Sequence, residues 1–201
     1  MSILSAERVS RSWTLALVLI SAALLPTGGR VRADGYPSKF NFGETVSAEE
    51  IEKIAIAIPA DGARLPPGKG DYATGKEFYA AACAACHGDK LQGVAGLPNM
   101  PSGAALRLIG GRGTLTLQKP TVTVESYWPY ATTLFDYIRR AMPYTAPGSL
   151  SADEVYALSA YILAEGKIID RSAVLDATTL PKIEMPNRDG FIADPRPELF
   201  K

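Results

Sequence analysis

Two stretches of the chain place apolar residues at helical spacing, and a third is rich in alanine. In "TLFDYIRRAM", about 133–142, Leu134, Ile138 and Ala141 fall near one face, and Thr132 or Thr133 is placed to cap the start. In "ADEVYALSAYILAE", about 152–165, Val155, Leu158 and Ile162 form a core stripe. Ser151 with Glu154 opens that helix as a capping box, and Gly166 stops it. The alanine-rich stretch "DYATGKEFYAAACAAC" predicts a helix over about 72–84. Asp71 caps it, and Thr74 with Glu77 makes a second box.

The remaining sequence is less regular. "SAEEIEKIAI" carries a capping box, Ser47 with Glu50, and predicts a short helix in an arm spanning 34–70. Residues 88–128 are glycine-rich and irregular, which is unusual within a small domain unless the segment wraps a large ligand. Gly110 and Gly111 suit a tight turn rather than a phosphate loop, since neither a strand nor a Lys-Ser/Thr pair accompanies them. From 167 onward Pro181, Pro186, Pro195 and Pro197 predict an extended, surface-bound tail. The expected organisation is a leader over 1–33, an arm over 34–70, a helical domain over 71–166 and a tail over 167–201. The fold class is mainly α.

The leader changes the picture of where the protein works. Arg8 and Arg11 precede the uncharged run "WTLALVLISAALL", and a V-R-A site ends at Ala33. This is the pattern of a cleavable secretory signal. Thirteen helical residues reach ~20 Å, short of the ~30 Å hydrocarbon core, so a retained membrane anchor is not expected. No twin-arginine pair is present, so export as an unfolded chain, to the periplasm, is expected. Residues 1–33 hold four arginines and one glutamate; without them 17 of 21 basic and 20 of 21 acidic groups remain, about −3. No basic surplus attracts nucleic acid.

The candidate chemistry is concentrated in "AACAACHGDK". Cys83, Cys86 and His87 are both cysteines and the single histidine of the chain. A Cys83–Cys86 disulfide would close only a tiny loop and leave His87 without a role. A structural zinc site needs four ligands, and a thioredoxin-like pair needs a preceding strand. C-x-x-C-H is the attachment pattern for one covalent haem c. The two thiols add across the haem vinyl groups, and the imidazole ligates the iron. The sixth ligand then separates electron transfer from gas binding or catalysis. Met100 lies 13 residues past His87, which leaves little chain to circle the haem, and Met185 lies in the tail. Met142 follows a helix and precedes a proline-broken turn, so it is the favoured ligand, against the reading of a gap-filling core methionine. Trp128, Tyr130 and Arg112 are candidates for the haem environment, with plain core packing as the competing reading for the aromatics. Arg139 and Arg140 read first as a solvated helix face, then as a partner contact.

Several of these segments resemble the class I c-type cytochromes over about 71–166. "GKEFY" puts Gly75 and Tyr79, and "LSAY" puts Leu158 and Tyr161, at the family's helix-crossing positions. "LPNM" resembles the segment whose proline carbonyl accepts the proximal histidine N–H, a role the resemblance gives to Pro98. Residues 126–163, together with "TLPKIEMPNRDGF" (179–191), resemble the cytochrome subunits of the Sox sulfur dehydrogenase and related sulfite dehydrogenases. That resemblance implies a class I cytochrome c fold with an added arm and tail. It also implies a molybdenum-cofactor partner subunit that oxidises a sulfur substrate, and a downstream cytochrome that receives the electrons. The Sox subunit usually carries two haems, whereas one haem motif is present here. The competing readings are a free periplasmic carrier, a haem enzyme or gas sensor with a labile sixth ligand, and a wiring subunit of a membrane complex.

Overall fold

The computed structural model describes residues 42–97 and 106–192. The chain divides into two compact units, Met1–Val46 and Ser47–Lys201. Among the described residues the second unit holds every helix and strand. Its elements are α1 (Ala48–Ile54), β1 (Lys69–Asp71), α2 (Tyr72–Ala82), α3 (Ala84–His87), α4 (Ala131–Ala141), α5 (Ala152–Glu165), β2 (Val174–Asp176) and a 3₁₀ turn, Leu180–Lys182.

The capping signals act largely as the sequence implies. Ser47 and Glu50 form a reciprocal box at α1, and Ser151 and Glu154 do the same at α5. Asp71 accepts the Thr74 amide and starts α2, so Thr74 lies inside the helix rather than opening a second one. α4 begins two residues earlier than its pattern suggests, on Tyr130, with no side-chain cap. The Thr132 hydroxyl is drawn elsewhere: it donates to the Ala60 carbonyl in the arm.

α5 is the centre of the molecule. Every residue from Val155 to Ala164 is buried, not only the expected stripe. The reason is that α5 is enclosed by α2, α4 and the β1–β2 pair, and a helix packed on all sides needs apolar residues all round. α2 crosses it at Gly75. A Cβ there would lie 1.9 Å from the Ala157 carbonyl oxygen, so only glycine allows this approach. Rings of Tyr72 and Tyr79 pack on Tyr161 with centroids 5.3 and 5.0 Å apart.

The tail departs from expectation. β2 pairs antiparallel with β1, Gly70 opposite Leu175. Leu175, Leu180 and Met185 are all buried in the core. Pro181 and Pro186 therefore mark turns in a segment that supplies core side chains, not an extended surface strap; Pro195 and Pro197 lie outside the described residues. The chain from 106 to 130 has no helix or strand apart from the Tyr130 bridge to Glu184.

Candidate functional site

Cys83 ends α2, and the single turn of α3 follows it at once. The Cys86 and His87 amides both donate to the Cys83 carbonyl, at 3.1 and 2.9 Å. This compact turn brings the two thiols, at i and i+3, to the same side. The loop beyond folds back to hold it. The Val94 amide donates to the Cys86 carbonyl, the Gly93 amide to that of His87, and the Tyr79 hydroxyl to that of Gly88. Gly88 takes φ +76, the left-handed region that reverses the chain after the helix.

His87 Nδ1 meets the Leu106 carbonyl oxygen at 2.5 Å. A carbonyl only accepts, so Nδ1 carries the proton and Nε2 keeps its lone pair, the tautomer a metal ligand requires. The acceptor is thus Leu106, nineteen residues on; Pro98, expected in this role, lies outside the described residues. Leu106 is buried, and the Leu108 amide ties its segment to the Leu91 carbonyl at 2.9 Å.

Cys83, Cys86 and His87 share a cavity of about 460 Å³ with Met142, Trp128 and Leu158, within the size range of small-molecule and cofactor sites. Met142 is the residue that closes α4, its amide still bonded to the Ile138 carbonyl at 3.0 Å. Met185 is buried in the core and does not line the cavity, and Met100 lies outside the described residues. Trp128 meets Tyr137 edge-on at 5.7 Å, and both face the cavity.

Two expected environment residues are elsewhere. Arg112 pairs with Glu125 at 2.7 Å and donates to the carbonyls of Gly166 and Lys167. It thereby caps the C-terminus of α5, whose free carbonyls attract a cation. Tyr130 bridges to Glu184, and Arg188 lies over its ring at 5.0 Å. The cation on the cavity wall is Arg107 instead. Nothing local in the sequence singles it out; it is brought in by the same irregular segment that carries Leu106. Tyr137 and Tyr144, also on the wall, are likewise unmarked by spacing.

The donor set fits a covalently held haem better than other uses of a thiol pair. Burial pushes the Cys83 thiol up to about 11, with the neighbouring Cys86 adding to it, whereas redox-active C-x-x-C pairs have depressed values. Among the described residues no group of three or more His, Cys, Asp or Glu is arranged to hold a bare metal ion. An apolar cavity with two thiols, one correctly oriented imidazole and one thioether suits a large flat macrocycle with iron at its centre.

Fold and cavity together define a c-type cytochrome, and the chain belongs to the cytochrome c family. Residues 70–162 match the family model described as cytochrome c oxidase, cbb3-type, subunit III. The solved structure of the sulfane dehydrogenase SoxCD from Paracoccus pantotrophus is similar at 37% identity, covering 80% of this chain and 75% of that one, with a TM-score of 0.66. No curated protein matches. The chain is therefore a cytochrome c electron-transfer domain, with the haem c that membership implies, and it is similar to a chain of the sulfane dehydrogenase SoxCD. Among the described residues no helix is long and apolar enough to cross a membrane.

Proposed function

We propose that this chain is a monohaem cytochrome subunit that takes electrons from a molybdenum-cofactor subunit oxidising a sulfur substrate. It passes them to a downstream cytochrome in the periplasm, after removal of residues 1–33. The observation that carries the haem assignment is the apolar cavity shared by Cys83, Cys86, His87 and Met142. Cys83 and Cys86 hold the haem through thioethers, and His87 and Met142 ligate its iron through Nε2 and Sδ. A haem bound in this way supplies reversible one-electron chemistry. The chain's own contribution is to orient these ligands and exclude water. The Leu106 carbonyl fixes the orientation and tautomer of the imidazole, and Trp128, Leu134 and Leu158 keep the wall apolar. Arg107 takes the place of Arg112 as the candidate partner for a haem carboxylate.

The partner assignment is supported by the likeness to sulfane dehydrogenase SoxCD over most of both chains. The test is gentle purification from the native host, followed by metal analysis and stopped-flow reduction. Co-purifying molybdenum and fast sulfite-dependent haem reduction are expected for a sulfite dehydrogenase. Molybdenum without sulfite activity points to a different sulfur substrate. Haem without molybdenum, in an intact preparation, defeats the subunit reading and leaves a free carrier.

A further inference from the structure

α4 carries a carboxylate where a helix of this kind has no need of one. Asp136 lies on the inner face, 7% exposed, between Phe135 and Ile138 of the core side. Aspartate is a poor helix former, and burying its charge carries a cost that partners must offset. Its partners come from two directions. One is Arg140 on the next turn, whose guanidinium engages both carboxylate oxygens. The other is the amide of Ile58, 78 residues earlier, which donates to Oδ1 at 2.9 Å in a buried bond. Burial raises the Asp136 pKa, but these partners and the nearby Arg139 outweigh it and leave it below the ordinary carboxylate value. The Arg140 pair could exist at a solvent-facing surface. Turning the carboxylate inward serves the arm.

The same arm segment is held a second time, by the Thr132 hydroxyl on the Ala60 carbonyl. Ile58 itself is 6% exposed and belongs to the core. Six residues separate Asp136 from Met142, about 9 Å along the helix axis. After Met142 the backbone leaves the helix, at φ −123 and ψ 148. The position of the thioether is therefore set by the last turns of α4 and by whatever fixes them.

We propose that Asp136 is a positioning residue for Met142: shared between the Ile58 amide and the Arg140 guanidinium, it clamps α4 to the N-terminal arm and so keeps the thioether seated at the haem. This rests on the reading of Met142 as sixth ligand. An added ligand must displace the thioether, so its apparent affinity reports how firmly Met142 is held. The experiment titrates imidazole into oxidised holoprotein, follows the haem absorption, and records the melting temperature and Ile58 amide exchange of the same samples. Asp136→Ala is expected to bind imidazole at least tenfold more tightly and to exchange the Ile58 amide faster. Asp136→Asn, which keeps an acceptor oxygen for Ile58 but loses the charge, should fall between it and the parent. Arg140→Ala, which leaves the Ile58 bond in place, should change the affinity less than Asp136→Ala. A lower melting temperature with imidazole affinity within twofold of the parent overturns the proposal and leaves Asp136 a stability residue. If Asp136→Ala fails to load haem, the same twofold criterion is applied to Asp136→Asn. Met142→Ala serves as the control. Unchanged imidazole affinity there defeats the ligand reading itself, whatever the Asp136 variants do.

Discussion

The two methionines that the structure describes have different surroundings, and that difference is testable one residue at a time. Met142 lines the cavity and Met185 fills the core. Met142→Ala should leave the haem attached, lower its midpoint potential, and open the reduced protein to carbon monoxide. Met185→Ala should keep the parent spectrum and potential and lose about 2–5 kcal/mol of stability, the usual range for such core truncations. Redox titration and denaturant unfolding of both variants check this; a spectrum that changes with Met185 and not with Met142 reverses the assignment. A second residue-scale effect belongs to Asp176 at the end of β2. The Thr178 hydroxyl, followed by the amides of Thr179 and Thr178, holds its carboxyl down to about 2. The unfolded value is about 3.9. A depressed folded value stabilises fully above the unfolded one and fades as pH falls through about 2. Urea midpoints of the parent should therefore decline from about pH 4 toward pH 2 more steeply than those of Asp176→Asn. Parallel curves would show that Asp176 contributes nothing to acid unfolding.

At the scale of elements, the α2–α5 crossing decides whether the C-x-x-C-H turn stays against the core. The Cβ of a Gly75→Ala variant would meet the Ala157 carbonyl oxygen at 1.9 Å and its carbonyl carbon at 2.5 Å. These are backbone atoms of a fully buried helix, so they have no rotamer by which to give way. Overpacking of this kind costs about 1–3 kcal/mol, more than the ~1 kcal/mol that alanine returns in helix propensity. Gly75→Ala should unfold at lower denaturant than the parent, and equal midpoints would mean that the helices separate freely. The start of α5 is a smaller effect of opposite origin. Ser151→Ala removes the acceptor of the Glu154 amide and should cost about 1 kcal/mol by the same measurement. This crossing is legible in the sequence: Gly75, Tyr79, Leu158 and Tyr161 fall at the spacing that the family uses. The start of α4 was not, because Thr132 has the chemistry of a cap and is recruited instead by the Ala60 carbonyl, 72 residues away.

At the scale of the whole molecule, arm and tail are parts of the cytochrome. β1 and β2 close against α5, the Leu180–Lys182 turn packs on α4, and Leu175, Leu180 and Met185 are buried in the core. A chain ending at Gly166 would uncover the α5 surface under β2 and the α4 surface under the 3₁₀ turn. It should neither load haem nor show a cooperative unfolding transition. A chain beginning at Ala55 keeps Ile58 and both strands. It loses α1, whose Ile51 and Ile54 are exposed, and should fold and load haem as the parent does. Circular dichroism and haem absorption on the two truncations check the pair. If the chain ending at Gly166 folds, the tail is dispensable and its burial is incidental.

What the sequence determined by itself was local and chemical. Capping boxes act within one helical turn, so Ser47 and Ser151 declared their roles directly, and a three-position thiol spacing with an adjacent imidazole admits few chemistries, so Cys83, Cys86 and His87 pointed to a haem. Met142 could be favoured because so few methionines were available, and the fold brings it to the cavity with the other three. Only the tertiary structure decided the partners reached across long stretches of chain. Leu106 presents the carbonyl that His87 meets, Arg107 rather than Arg112 lines the cavity, and Tyr130 turns to the tail. The physical reason is that backbone carbonyls and surface cations carry no sequence signature of their own. Any residue presents the same C=O, and an arginine takes whichever partner the packing brings near. The tail misled for a related reason. Proline spacing reports where a chain turns, and burial is settled by the surface it turns toward, here α5 under β2 and α4 under the 3₁₀ turn.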